Sequence, residues 1–114
     1  MTDKVLVIIS SGMEGKEKAI SGMNFAANTK KGGLFSDVKV IFFGPSEKAI
    51  ASGDKEFEAG VKNLRDAGIN VLACSRVAEN NGIKDLLLQK SIPMEPVGPV
   101  IANYIKQGYA VMTF

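Results

Sequence analysis

Cys74 is the only cysteine in a chain that contains no histidine. Neither a Ser-His nor a Cys-His pair is therefore available, and a nucleophile must be activated by its surroundings. The segment around the thiol reads Asn70-Val71-Leu72-Ala73-Cys74-Ser75-Arg76-Val77-Ala78-Glu79-Asn80-Asn81-Gly82-Ile83. Its apolar run, rich in Val and Leu, is a buried strand; Ser75, Arg76 and Ala78 then begin a short helix that Gly82 ends. A thiol at that junction faces unpaired backbone N–H groups and the positive end of the helix dipole, both of which favour thiolate. Arg76 adds a nearby cation. A free cysteine also serves as a small buried hydrophobe, so a structural reading of Cys74 stands beside the chemical one.

Other motifs offer less. Gly12-Met13-Glu14-Gly15-Lys16 fails as a phosphate loop, because the required first glycine falls at Ser10 and the magnesium-binding hydroxyl at Glu17. The turn is left with N–H groups that suit a small anion. Ser10 and Ser11 are turn and cap residues, since no base accompanies them. The Asp and Glu residues fall on helices where solvated faces explain them, so no acid–base pair of carboxylates is identified. One cysteine permits no internal disulfide, and without a Cys/His cluster no metal site is expected.

The elements that position Cys74 are read from periodicity. Lys4 to Ser10 and Val38 to Phe43 are near-continuous apolar runs, as central parallel strands covered on both faces require. Asn70 to Cys74 is a third strand and Tyr109 to Thr113 the last, with Glu95 to Val97 a weak strand near an edge. Lys16 to Lys30 carries Ile20, Met23 and Ala27 at helical spacing, closed by Gly32-Gly33. Asp54 caps a helix to Ala67 that buries Phe57, Val61 and Leu64. Pro99 begins, and Gly108 stops, a helix with Ile101, Tyr104 and Ile105 on one face. The alternation predicts a three-layer α/β/α sandwich with a five-stranded, mainly parallel sheet. Sites in such sheets lie at the carboxyl ends of the strands. Three loops share that edge: Ser10-Ser11-Gly12-Met13, Gly44-Pro45-Ser46 and Cys74-Ser75-Arg76.

A chain of 114 residues is expected to form one domain over residues 1–114. Its 14 basic and 12 acidic residues are dispersed, and Lys30-Lys31 is the only basic doublet. Without a basic stripe and interleaved aromatics, no nucleic-acid partner is expected. The run Val5 to Ile9 is too short to span a membrane and lacks the features of a secretory signal. A cytoplasmic location, with the thiol kept reduced, follows as the expectation.

With these pieces placed, the chain resembles the DsrE/DsrF-like family of small sulfur-handling proteins, which includes subunits of the Tus sulfur relay. The resemblance rests on Val5-Leu6-Val7-Ile8, on Val38-Lys39-Val40-Ile41-Phe42-Phe43-Gly44-Pro45, on Leu64 to Cys74, and on the ending Gly108 to Phe114. The cysteine after the third strand, followed by Gly82-Ile83, matches the spacing of the sulfur-carrying subunits. The resemblance implies that Cys74 accepts sulfane sulfur as a persulfide and hands it to a partner. It also implies a five-stranded sheet, and trimers or hexamers of like or paralogous subunits. The relay subunits tend to carry a basic pair before the glycine, where this chain has Asn80-Asn81.

The reading that results is a cytoplasmic sulfur carrier with Cys74 as its reactive group. Arg76 assists it, Ser11, Gly12, Gly44, Pro45, Ser75 and Arg76 line its pocket, and sulfur donor and acceptor proteins are its partners. It requires no metal or organic cofactor. The alternative is a non-catalytic oligomeric module that binds a small anion or nucleotide at the same edge, with Cys74 structural.

Overall fold

Side-chain alternation along the central strands divides the molecule into layers. The computed structural model describes residues 3–114. Its strands are β1 (Lys4–Ile9), β2 (Asp37–Phe42), β3 (Val71–Cys74), β4 (Met94–Glu95) and β5 (Ala110–Thr113), in the order β4-β3-β2-β1-β5. Every pairing is parallel. Six helices connect them: α1 (Lys16–Lys31), α2 (Pro45–Ala51), α3 (Lys55–Asp66), α4 (Ser75–Asn80), α5 (Lys84–Gln89) and α6 (Val97–Lys106). A short 3₁₀ turn at Met13–Gly15 precedes α1.

Because successive strand residues point to opposite faces, Val5, Val7 and Ile9 enter one core and Leu6 and Ile8 the other. The first core is thick. Val38, Val40 and Phe42 of β2 meet Met23 of α1, Ile50 of α2, Phe57 and Leu64 of α3 and Leu87 of α5 there. Asp54 caps α3 as expected, its carboxylate accepting from the Phe57 N–H at 3.1 Å. The second core is thin: Leu6, Ile8, Ile41 and Cys74 are covered by Val97 and by half-buried Val77, Ile101 and Tyr104. Helix α6 and one side of α4 thus form most of that layer.

Two helices escaped the sequence reading, α2 and α5. They are seven and six residues long, too short to show a helical period, although Pro45 at the first helical position marks the start of α2. The fourth strand lies at Met94–Glu95 and is an edge strand, with Pro96 capping α6. At the opposite edge all four residues of β5 are exposed. Tyr109 fastens this edge: its hydroxyl donates to Asp37, across β1. Burial opposes the charge on Asp37, but the Tyr109 hydroxyl, Lys39 and Lys30 outweigh it and hold the carboxyl below its usual range.

Candidate functional site

The loops after β1 and β2 close on each other directly. A Cβ at Gly12 would collide with the Pro45 carbonyl group, lying 2.7 Å from its carbon. The Ser46 N–H donates to the Ser10 carbonyl at 2.9 Å, and the Ser46 hydroxyl to the Ile9 carbonyl at 2.6 Å. Gly44, at φ 115°, supplies the turn into α2 that side chains rarely permit. The loops carrying Ser11, Gly12, Gly44 and Pro45 therefore meet in a packed joint.

That joint leaves little room for an anion. The Ser10 and Ser11 N–H groups donate to the Phe114 carbonyl at 2.8 and 3.2 Å. The Gly12 N–H is held by the Glu14 carboxylate at 2.6 Å. The Ser10, Ser11, Gly12 and Gly15 N–H groups are occupied by the chain's own oxygens.

Cys74 ends β3 and caps α4, which follows without a loop. It is buried, with 5% of its surface exposed, and faces the thin core beside Val97. Ser75 is half-buried, and Arg76 is exposed and forms no ion pair among the described residues. Helix α4 anchors itself mainly through Ala78 and lacks a side-chain cap.

Sequence reasoning missed the most perturbed group at this edge, Glu47. Its residue is completely buried. One carboxylate oxygen, Oε2, accepts from the Gly44 N–H at 3.3 Å, while Oε1 has no protein partner. The Ala73 N–H is turned toward Pro93 on the β4 side, so the next N–H along β3, that of Cys74, turns toward β2. Glu47 sits there, where β2–β3 pairing ends. Burial pushes its carboxyl up to about 7, partly offset by the Gly44 and Cys74 N–H groups. The Cys74 N–H is thus near enough to favour the charged form, although only Gly44 meets hydrogen-bond geometry. The expectation that solvated faces explain every carboxylate fails for Glu47. Its signal in the sequence was a Glu at the third position of a helix opened by Gly44-Pro45, where it bonds the cap N–H.

Comparisons with known proteins agree on architecture. The DsrE/DsrF-like family matches the chain over residues 3–114. A conserved protein of unknown function from Bacteroides thetaiotaomicron, BT1422, superposes with a TM-score of 0.83 at 24% identity, over 98% of this chain and 95% of that one. The Escherichia coli YchN protein gives 0.79 at 17% identity, over 97% and 99%. MTH1491 from Methanobacterium thermoautotrophicum, also of unknown function, gives 0.69 at 18% identity, over both chains entirely. No curated protein matches.

Proposed function

Because the chain belongs to the DsrE/DsrF-like family, whose members point to a sulfur-related role, we propose that Cys74 is a persulfide carrier. The observation that carries this reading is the placement of the sole cysteine at the carboxyl end of β3, the edge shared by three loops. In loading, the Cys74 thiolate attacks the terminal sulfur of a donor persulfide, R–S–SH. The Sγ–S bond forms, the donor S–S bond breaks, and R–S⁻ leaves. Sulfane sulfur moves without net oxidation, so thiolate fraction, access and leaving group govern the rate.

Access is the demanding requirement, since the thiol is buried. Helix α4 supplies it by opening: six residues, no side-chain cap and one buried residue place it at the low-stability end of the fold. Donor and acceptor proteins approach along the side of α4 that carries exposed Arg76. The thin second layer and the exposed β5 edge, with Val111 and Met112, favour assembly with further copies or paralogous subunits. Among the described residues no helix is long and apolar enough to cross a membrane.

A second reading, Cys74 as a structural wall residue, draws on its burial. One experiment separates the two. After incubation with a low-molecular-weight persulfide, intact-mass analysis of the wild type shows the gain of one sulfur atom. Cys74→Ser shows none and keeps the native circular dichroism spectrum. Loss of the folded state in Cys74→Ser, with no sulfur uptake by the wild type, supports the structural reading.

A further inference from the structure

Strand register decides which side chain stands beside the thiol. Across β3 and β4, Cys74 pairs with Glu95 and Ala73 with Met94. Ala73 and Met94 belong to the thick core and Cys74 to the thin one. Glu95 therefore leaves the sheet on the face that carries the thiol, from a backbone about 4.8 Å away. It is exposed and forms no ion pair among the described residues.

Glu95 also borders a hollow of about 240 Å³, lined further by Lys39, Asn70, Leu72, Pro93 and Tyr104. Leu72 precedes Cys74 by one alternation on that face, about 6.6 Å along the strand. The hollow thus runs from the amino end of β3 toward the thiol, with Lys39 and Asn70 at its far end and Glu95 at the near one. Its two charged side chains differ in their state. Lys39 is engaged, its Nζ 3.4 Å from the Asp37 carboxylate and facing the Tyr104 ring. Glu95 is not, so the uncompensated charge of the hollow is negative. Arg76 stands past the carboxyl end of β3, on α4.

We infer that this hollow holds the organic part of a low-molecular-weight sulfane donor, and that Glu95 selects a donor bearing an ammonium group a few bonds from sulfur. The inference rests on the carrier reading above and names the substrate class of that site. An alkyl chain suits the apolar surface of Leu72 and Pro93, and an ammonium group suits the free Glu95 carboxylate. When α4 opens, the Cys74 thiolate attacks the terminal sulfur of the donor, ⁺H₃N–R–S–SH. The Sγ–S bond forms, the donor S–S bond breaks, and the aminothiolate leaves with the electron pair, its ammonium still beside Glu95. No outside oxidant or reductant enters. A donor ending in a carboxylate meets like charge at the same place and loads more slowly.

The test uses the full chain with aminoethyl and carboxyethyl persulfides, loading being followed by intact mass at low ionic strength. Comparing the amino-to-carboxy rate ratio between wild type and Glu95→Gln cancels the intrinsic reactivity of the two donors. Glu95 is exposed at a sheet edge, so the variant should fold. The ratio should be about tenfold higher in the wild type, and the difference should shrink at ~1 M salt. Glu95→Lys should push the ratio below that of Glu95→Gln. Glu17→Gln, which removes an exposed acid from α1 on the opposite face, should leave it at the wild-type value. Aminoethyl and sulfonatoethyl methanethiosulfonates, which form a disulfide with the thiol, read the same charge preference without sulfur transfer. A ratio unchanged in Glu95→Gln overturns the inference, while loading itself still upholds the carrier reading. Charge-selective disulfide formation without persulfide loading overturns the carrier reading, and the donor assignment with it. A thiol that none of these reagents reaches overturns both.

Discussion

Replacing Glu47 by Gln removes the charge and keeps the shape, and its effect on stability should depend strongly on pH. The carboxyl titrates at about 7 in the folded chain against 4.5 for an ordinary glutamate. At about 1.4 kcal/mol per pKa unit, that difference amounts to ~3 kcal/mol. The sign follows from which state holds the proton. Below 4.5 both folded and unfolded chains are protonated here, and the wild type carries no penalty. Between 4.5 and about 7 the unfolded chain releases the proton that the folded chain retains, so wild-type stability falls as pH rises. Above about 7 the loss is complete. Glu47→Gln does not titrate and escapes it, apart from a pH-independent change of about 1 kcal/mol for the altered bond to the Gly44 N–H. Urea unfolding of both chains at about pH 5 and pH 8, at one protein concentration, should show the gap between them shifting toward the variant by about 2–3 kcal/mol. That corresponds to a midpoint difference on the order of 1–3 M. Contributions of Asp37, Asp54 and Asp66, whose carboxyls are all held low, occur in both chains and cancel. Parallel stability profiles for the two chains would mean that Glu47 ionises freely in the folded state, and the burial argument would be wrong.

Other outcomes follow from the same geometry. Gly12→Ala forces its methyl into the Pro45 carbonyl, and the joint between the first two loops should yield by about 1–3 kcal/mol; an unchanged urea midpoint would show that the joint is loose. Tyr109→Phe deletes the hydroxyl that donates to Asp37 and should cost about 1 kcal/mol near neutral pH. The deficit should narrow at acid pH as Asp37 protonates, and a pH-independent deficit would argue against that bond. At micromolar concentration the chain should sediment as an oligomer that buries the surface around Ile105, Val111 and Met112, which are 54%, 41% and 39% exposed; a single species near 12.1 kDa would refute this.

Much of the architecture was legible because its signals are local. The apolar runs at Val5–Ile9 and Val38–Phe42 can be buried only in a covered parallel sheet, and Asp54, Gly68 and Gly108 punctuate their helices in the chain itself. What stayed hidden depended on closure in three dimensions. Met94–Glu95 is too short a strand to announce its own bounds. The N–H groups of Ser11 and Gly12 looked available in sequence, and only the fold shows Phe114 and Glu14 occupying them. Cys74 stood out by composition, yet its burial is decided by Val97, distant in the chain. Glu47 reads in one dimension as a first-turn acid favoured by the helix dipole. Only the packed fold shuts it from water.

The central claim, that Cys74 receives and passes on sulfane sulfur, is tested most directly by following isotopically labelled sulfur through one turnover. Labelled alkyl persulfide is reacted with the chain, excess donor is removed, and an acceptor thiol is added. The account predicts that label resides on the Cys74 peptide before the acceptor arrives. It should then move to the acceptor as a persulfide, with the chain returning to its original mass. Label that never reaches Cys74, or that leaves it only as free sulfide without appearing on the acceptor, would contradict the account.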